Sequence, residues 1–262
     1  MGKSVLVLQK SEDHDLIELP SNIKILSWNI MGSNYCKIDV DNQERVLNQL
    51  NFLFNCFTDL DVDIIFLQEV DTFFKDSLDS HELKDKCYIF ESKVEPYGQL
   101  ILSKYKTNYE VYSIGKNGDK KIILLEAKVD DQKLVFVNCH LQAGRRNLEQ
   151  RNSQIRKITD FLEKKYENKT VNFILGDLNM VTEEETIENY HDLCPENKRE
   201  IYTFNYEENR LTFPIKGNHR FDRIYCNRKL DVVEYEVMTD VVLSDHYPIF
   251  NRVIIVKTLE KV

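Results

Sequence analysis

The sequence predicts an α/β protein in which stacked β-sheets carry helices on their outer faces. Short runs rich in Ile, Val, Phe and Tyr, which half-buried strands favour, outnumber the long amphipathic segments. The helical segments separate only a few of these runs, which disfavours a single doubly wound parallel sheet. The predicted strands are residues 23–30, 62–67, 99–103, 109–114, 121–129, 133–140, 171–175, 223–225, 232–238 and 249–256.

Two segments have the period of an amphipathic helix. In the first, apolar residues recur three or four positions apart across 46–60, and Asp41 with Glu44 has the spacing of a capping box. In the second, the same spacing runs across 148–166. We therefore expect one helix early in the chain and one near its middle.

The length of 262 residues and the 42% apolar content fit one large domain with a sizeable core. Residues 1–21 are predicted to form a polar leader with one possible short strand, and residues 22–262 a single domain. No run approaches the ~18 apolar residues of a membrane-spanning helix, and no signal-peptide pattern is found. We expect no stable membrane insertion, and a monomeric, intracellular protein of the cytoplasm or nucleus that is not secreted.

The net charge of −9 argues against broad, nonspecific binding of nucleic acid. Basic residues nevertheless form local clusters that could contact an anionic substrate. The two clusters are Arg145, Arg146 and Arg151, and Lys216, Arg220 and Arg223.

The polar residues of chemical interest stand at the ends of predicted strands, where rigid elements pass into loops. They are Asn29, Glu69, His140, Asp177 with Asn179, and the pair Asp245–His246, which follows the apolar run 241–243. Any one of them alone would fit a turn former, a cap or a hydrogen-bonded core histidine. Their repetition at successive strand ends favours a shared site.

These residue types fit phosphoryl chemistry. Carboxylate and amide oxygens suit one hard cation, Mg²⁺ or Mn²⁺. His140 and His246 can bind or protonate phosphate oxygens near neutral pH. Asp177 beside Asn179 can orient and deprotonate a water, and Asp222 can fix the tautomer of a histidine.

Several other mechanisms lack their sequence signatures. The chain has no Gly-rich phosphate loop, no H-E-x-x-H and no G-x-S-x-G, so ATP-driven, zincin and serine-hydrolase chemistries are not predicted. Its six cysteines include no C-x-x-C pair, which disfavours a thiolate zinc site.

A series of short motifs, in order along residues 23–256, resembles the endonuclease/exonuclease/phosphatase superfamily. The motifs are 27–32 (SWNIMG), 67–70 (LQEV), 97–98 (YG) with 101–103 (ILS), 138–141 (NCHL), 176–179 (GDLN), 220–224 (RFDRI) and 244–246 (SDH). The resemblance implies a four-layered α/β sandwich, with two stacked mixed sheets flanked by helices. It also implies a metal-dependent phosphodiesterase site at one edge of the sheets, within a single catalytic domain.

The resemblance assigns roles around the metal ion. Glu69 would be the direct ligand, and Asn29 and Asp245 would support the metal and its waters. Met31 departs from the pattern, because many members have an acidic residue at that position near the metal.

The resemblance also assigns the catalytic groups. Asp177 and Asn179 would prepare the nucleophilic water and bind the scissile phosphate. His140 and His246 would contact phosphate oxygens, and Asp222 would orient His246.

Within the superfamily, residues 220–225 and 140–145 resemble the tyrosyl-DNA phosphodiesterase 2 group, which implies a nucleic-acid 5′ end or a protein–DNA adduct as partner. In that reading Phe204 stacks on a base. The expected substrate-binding residues are Gln99, Arg145, Arg146, Phe204, Phe221 and Ser244.

Other substrates stay open. Residues 140–143 and 176–180 are equally similar to neutral sphingomyelinases, and a phosphoinositide phosphatase or an abasic-site endonuclease would use the same chemistry. A catalytically silent binding module is a further alternative, with Met31 as the feature in its favour.

Overall fold

The computed structural model describes residues 6–10, 16–35, 41–92, 96–115, 120–209, 211 and 217–256. Two large mixed β-sheets lie face to face, with helices against their outer faces. This arrangement confirms the predicted four-layered α/β sandwich.

The elements have the following bounds. The strands are β1 (Leu6–Lys10), β2 (Asn22–Asn29), β3 (Ile64–Val70), β4 (Tyr88–Glu91), β5 (Gly98–Ser103), β6 (Tyr109–Ser113), β7 (Lys121–Val129), β8 (Gln132–His140), β9 (Val171–Asp177), β10 (His191–Asp192), β11 (Phe204–Asn205), β12 (Asn218–His219), β13 (Asp222–Cys226), β14 (Asp231–Val237) and β15 (Ile249–Ile254). The α-helices are α1 (Asn42–Thr58), α2 (Thr72–Ser80) and α3 (Leu148–Lys165). Short 3-10 helices lie at Ser33–Tyr35, Glu82–Asp85, Arg145–Asn147 and Glu196–Lys198.

Each large sheet contains one parallel strand pair near its centre. The seven-stranded sheet has the order β1-β6-β7-β8-β9-β13-β10, and the six-stranded sheet has the order β14-β15-β2-β3-β5-β4. β2 pairs with β3 in parallel, as β8 does with β9. The two parallel pairs lie against each other across the sandwich. The carboxyl ends of four central strands therefore meet at one edge.

Alternation along the strands produces the layers. In β2, Ile25 packs into the core between the sheets, whereas Leu26 faces α1 and α2 on the outside. Three phenylalanines join the sheets at the centre: Phe136 lies 5.8 Å from Phe66 and 4.7 Å from Phe173 between ring centroids. The outer face of the other sheet packs on α3.

Helix α1 was predicted from the sequence, whereas helix α2 was not. The Asp41 carboxylate accepts hydrogen bonds from the backbone N–H groups of Gln43 and Glu44, which confirms the predicted start of α1. Helix α2 was not predicted, because only Phe74 and Leu78 of its nine residues are buried and so short a pattern carries little periodicity.

Part of the predicted polar leader packs on the domain. β1 pairs with β6, and Leu19 is only 3% exposed in the core between the sheets.

The interpretation of residues 241–246 as the end of a strand was wrong. These residues form a loop that connects β14 to β15, with one isolated bridge between His246 and Phe204. No helix in the described ranges is long and apolar enough to cross a membrane.

Candidate active site

The central strands bring the predicted polar residues to one edge of the sandwich. Asn29 is the last residue of β2, His140 of β8 and Asp177 of β9, and Glu69 is the last but one of β3. Since two of these strands belong to each sheet, the site forms only where the two sheets meet. Asp222, at the start of β13, lies directly opposite Asp177 in the antiparallel ladder.

Asn29 links the acidic groups of the two sheets. Its side-chain Nδ2 donates to Glu69 Oε1 and to Asp177 Oδ2, both at 3.0 Å. Its Oδ1 accepts from the backbone N–H of Met31 at 3.0 Å. That oxygen keeps a second lone pair, so the expectation that Asn29 supports a metal ion and its waters stays a prediction. Through its Nδ2 group, Asn29 also holds the carboxylates of Glu69 and Asp177 in place.

Glu69 is held in an uncommon backbone conformation. Its φ is 56°, and the register between β3 and β5 shifts between Gln68 and Val70, so Glu69 is the bulged residue. Such conformations cost free energy in non-glycine residues and are found where a side chain must be aimed. Burial and the nearby Asp245 carboxylate raise the pKa of Glu69 to about 7, although the Asn29 amide opposes this shift.

The acidic groups fit a divalent cation. His140 Nε2 lies 3.8 Å from Glu69 Oε1 and 3.7 Å from Asp177 Oδ2. In the described part of the chain, the ion pairs of Glu69 and Asp177 involve histidines alone. Clustered carboxylate oxygens that lack Lys or Arg partners suit Mg²⁺ or Mn²⁺. Glu69, His140 and Asp177 each offer one atom within 4.8 Å of the others, so these side chains could hold the ion. The Asp245 carboxylate is near enough to raise the pKa of Glu69.

Asp222 and His246 form a buried charge pair. His246 Nδ1 lies 2.7 Å from Asp222 Oδ2, and both side chains are at most 7% exposed. Burial alone would lower the pKa of His246, but the Asp222 carboxylate outweighs it and raises that pKa well above its usual value. His246 Nε2 lies 3.9 Å from Asp177 Oδ2, so its second N–H is available at the centre of the site.

Asp177 is positioned by a tight turn. The backbone N–H of Asn179 donates to Asp177 Oδ1 at 2.9 Å, and Asn179 has a φ of 50°. Asn179 Nδ2 donates to the carbonyl of Leu141 at 3.2 Å. The aspartate and asparagine of the GDLN motif are thereby fixed relative to β8 and β9.

His140 is the neutral histidine of the site. Burial and the positive charge of Lys120 lower its pKa to about 3, although Asp177 opposes this shift. Because His246 is cationic and His140 is neutral, the two histidines offer different hydrogen-bonding groups to a substrate.

A buried polar link beneath the site was not predicted. Gln68 Nε2 donates to Asn138 Oδ1 at 2.8 Å, and Asn138 Nδ2 donates to the carbonyls of Leu67 and Leu100 at 3.1 and 3.0 Å. These bonds join β3 and β5 of one sheet to β8 of the other. Gln68 belongs to the LQEV motif and Asn138 to the NCHL motif. Their positions next to Glu69 and close to His140 were the available signal in the sequence.

Gly176 lets β9 lie close to Cys139 of β8 and to the Gln68 side chain. It has a φ of +119°, and a Cβ there would lie 2.2 Å from the carbonyl oxygen of Cys139 and 3.0 Å from Gln68 Nε2. Only glycine allows β9 to approach β8 this closely just before Asp177.

Three of the expected substrate-binding residues are buried: Gln99, which lines a cavity described below, Ser244 and Phe204. Ser244 has no exposed surface; its Oγ donates to the Asn29 carbonyl at 2.6 Å and accepts from the His246 N–H at 3.2 Å. Phe204 is 2% exposed, and its ring packs edge-on against His246 at 5.3 Å. Unlike Gln99, Ser244 and Phe204 do not line that cavity and have no free face for a substrate, so both expectations were wrong. These two residues hold Asn29 and His246 in place. Trp28 does the same, since its indole N–H donates to the His246 carbonyl at 2.9 Å.

Other predicted residues do lie at the surface, and one of them, Phe221, lies beside His246. The ring of Phe221 is partly exposed, lies 6.0 Å from the His246 ring and stacks on His219 at 4.7 Å. Arg145 and Arg146 are exposed on the 3-10 helix before α3. Burial and then the charge of Arg145 lower the pKa of His219, so Arg145 lies near this ring pair.

The other arginines of the two basic clusters are structural. Arg151 is 1% exposed and pairs with Glu185 at 2.8 Å. Arg220 and Arg223, also buried, both pair with Glu183. Their guanidinium groups are buried and already paired with Glu183 and Glu185, so the expectation that they contact an anionic substrate was wrong. Lys216 lies outside the described residues.

A cavity of about 440 Å³ opens beside Glu69 and His140. We call it the Tyr97 cavity; its other lining residues include Tyr35, Tyr97, Gln99, Lys121 and Gln142. The Tyr35 and Tyr97 rings stack at 4.9 Å. Sequence reasoning predicted Gln99 as substrate-binding but missed both tyrosines, although Tyr97 stands in the YG motif.

Gly32 of the SWNIMG motif makes space for this cavity wall. A Cβ at Gly32 would lie 2.5 Å from Tyr97 Cε1, so the ring of Tyr97 lies directly over this glycine. The backbone N–H of Gly32 also points to Glu69 Oε2, at 3.4 Å.

The sequence model of the endonuclease/exonuclease/phosphatase family 2 matches residues 26–208. The chain belongs to this family. The matched segment includes Asn29, Glu69, His140, Asp177 and Asn179, whereas Asp222 and His246 follow it.

Individual relatives of this endonuclease/exonuclease/phosphatase chain are distant. Type IV inositol polyphosphate 5-phosphatase 11 from Arabidopsis thaliana is 27% identical over 177 residues. That match covers 60% of this chain and 48% of the relative, so the chain spans about half of the relative's length.

Solved structures share the fold. TDP2 from D. rerio, complexed with a single-strand DNA product, superposes with a TM-score of 0.74 at 18% identity over 89% of this chain and 99% of that chain. Truncated TDP2 from Caenorhabditis elegans gives 0.70 at 23% identity, over 89% and 98% respectively.

Proposed function

We propose that the chain is a Mg²⁺- or Mn²⁺-dependent phosphodiesterase that acts at nucleic-acid 5′ ends, with 5′-tyrosyl-DNA linkages as its substrate. The observation that carries this proposal is the position of Asp177. Its carboxylate touches the Asn29–Glu69 pair on one side and lies near the Asp222–His246 pair on the other.

The site provides each group that phosphodiester hydrolysis needs. A bound divalent ion would supply positive charge that polarises a phosphoryl oxygen and stabilises the leaving oxygen. Asp177, fixed by Asn29 and Asn179, accepts a proton from the attacking water. His246 donates its Nε2 hydrogen to a phosphoryl oxygen, and Asp222 keeps that imidazole charged. His140 offers a neutral N–H or lone pair to the same phosphate.

A chain of contacts gives the substrate a direction. It runs from the Tyr97 cavity through Glu69, Asn29 and Asp177 to His246, and ends at Phe221. With the scissile phosphate at the centre, one substituent would enter the cavity and the other would lie on Phe221. The exposed Arg145 and Arg146 favour a nucleotide chain on the Phe221 side, because their charges can meet its phosphates.

The test is release of 5′-phosphorylated DNA from an oligonucleotide that carries a 5′-phosphotyrosyl group. We expect turnover with Mg²⁺ or Mn²⁺, none after chelation by EDTA, and none in Asp177→Asn. Absence of release by the wild-type protein with either ion would overturn the proposal. Release from the wild type would in turn exclude a silent binding module.

Sequence similarity favours one second candidate, a phosphatase of inositol polyphosphates, because the matched Arabidopsis protein bears that name. The same Asp177 and His246 could hydrolyse a phosphomonoester. A panel with inositol polyphosphates, phosphoinositides, sphingomyelin and abasic duplex under Mg²⁺ separates these activities. A higher kcat/KM for any of them than for tyrosyl-DNA would replace the first proposal.

A DNA substrate also has consequences for partners and location. The proposed partner is a nucleic-acid 5′ end or a protein–DNA adduct, and one chain contains all of the proposed catalytic groups. We therefore propose a monomer that acts in the nucleus or cytoplasm.

A further inference from the structure

Gln99 is a buried residue on the wall of the Tyr97 cavity. It is 4% exposed and is the second residue of β5. Its backbone is fixed by Ser92: the Gln99 N–H donates to Ser92 Oγ at 2.9 Å, and its carbonyl accepts from the Ser92 N–H at 3.1 Å. The side chain therefore leaves from a rigid point of the wall.

The orientation of the Gln99 amide is fixed by chemistry. Its Nε2 donates to the backbone carbonyl of Lys121 at 3.1 Å. A carbonyl oxygen can only accept, so the amide cannot be flipped without placing two acceptors together. Gln99 Oε1 must point away from Lys121, and it is buried without a hydrogen-bond partner.

Buried acceptors without partners are costly and call for an explanation such as a water or a ligand. Gln49 also has an orphaned Oε1, with its Nε2 bonded to the carbonyls of Ile30 and Leu243. Gln49, however, belongs to α1 and does not line the Tyr97 cavity. Gln68 Oε1 is orphaned too, but Gln68 lies beneath the site, bonded to Asn138, and does not line the Tyr97 cavity. Among these three glutamines, Gln99 combines an orphaned acceptor with a place on the wall of that cavity, beside Glu69 and His140.

We propose that Gln99 is a specificity-determining residue that accepts a hydrogen bond from the leaving group of the substrate. This inference rests on the proposed function, in which one substituent of the scissile phosphate enters the Tyr97 cavity. The group that it selects carries an N–H or O–H donor. A peptide-linked tyrosine has such donors on its backbone, whereas a plain phenol has none after its oxygen is esterified.

The experiment compares two thymidine 5′-phosphate esters. One carries N-acetyltyrosinamide and the other 4-methylphenol. Both leaving groups are para-alkyl phenolates of similar basicity, so the ratio of their kcat/KM values reports on recognition rather than on bond cleavage. Because both substrates are measured on one preparation, the ratio does not depend on the folded fraction of a variant.

We expect the wild-type protein to prefer the tyrosinamide ester by about 5- to 10-fold, the effect of one uncharged hydrogen bond. Gln99→Met keeps the length of the side chain but removes the acceptor, and it should bring the ratio to about one. Gln49→Met is the matched control: it removes a buried amide with the same orphaned oxygen away from the cavity, and it should keep the wild-type ratio.

The outcomes separate the two proposals. Hydrolysis of both esters with a ratio of about one in the wild type, or an unchanged ratio in Gln99→Met, overturns the role of Gln99 and leaves the proposed function standing. An equal fall of the ratio in Gln49→Met also overturns it. Hydrolysis of neither ester overturns the proposed function and this inference with it.

Discussion

Replacing Asp222 by Asn tests how His246 is kept as a cation. Asp222 has no exposed surface, and its Oδ2 lies 2.7 Å from His246 Nδ1. Asn has nearly the same shape but no charge to balance the imidazolium. A hydrogen bond to a charged group contributes about 1.5–3 kcal/mol, so the loss of this bond in the transition state lowers kcat/KM by about 10- to 150-fold.

The pH dependence has a definite sign. The Asp222 carboxylate raises the pKa of His246, so the wild-type cation persists as the pH rises past the usual value of 6.5. In Asp222→Asn that pKa falls, and the high-pH limb of kcat/KM moves to lower pH. The pair also contributes stability that is fully present below the unfolded-state pKa of about 6.5 and is lost as the pH rises through the raised folded value.

The assay is kcat/KM from about pH 6 to 9, with urea unfolding at both ends of that range. Asp192→Asn is the matched control, because Asp192 is another carboxylate paired with a cation, Arg220, at 2.7 Å, and its side chain is only 9% exposed. The control should keep the wild-type limb. An identical limb in Asp222→Asn and in the wild type would refute the assignment of His246 as the cation.

Three further results are expected. Gly176→Ala places a Cβ against the Cys139 carbonyl at a φ of +119°. It should lower the free energy of unfolding, measured by urea titration, by about 3 kcal/mol or more. A loss below about 1 kcal/mol would contradict the close approach of β8 and β9. Asp177→Asn should lower kcat by about 100- to 10,000-fold with an unchanged melting temperature, and near-normal turnover would remove it as the base. Because the pKa of Glu69 is about 7, protons compete with the ion at lower pH; calorimetry should show Mn²⁺ affinity falling below pH 7 in the wild type, and a smaller dependence on pH in Glu69→Gln.

The layers of the fold were predictable because they follow from alternation along short apolar runs. The strand ends that carry Asn29, Glu69, His140 and Asp177 were predictable for the same reason, since a strand that is read correctly also places its last residue. The substrate residues were harder. Whether Phe204 is exposed depends on how the chain folds back over His246, and no local pattern reports that contact.

Which arginines are free to contact a substrate also depends on contacts between distant parts of the chain. In sequence, Arg151 stands beside Arg145 and Arg146, and nothing local separates them. The structure separates them because Glu185, 34 positions away along the chain, balances Arg151 alone. The Tyr97 cavity was missed for a related reason: its wall combines Tyr35, Tyr97 and Lys121, which come from three distant segments.

The hydrogen bond from Trp28 to the His246 carbonyl makes Trp28 an intrinsic fluorescence probe of the loop that carries His246. Trp28 is the one tryptophan of the sequence, it is fully buried, and its indole N–H is bonded across 218 positions to the loop that carries His246. Its emission should move to longer wavelength when that loop detaches, because the indole then meets water. Fluorescence during refolding would therefore report when the loop that carries His246 closes onto β2, with no added dye.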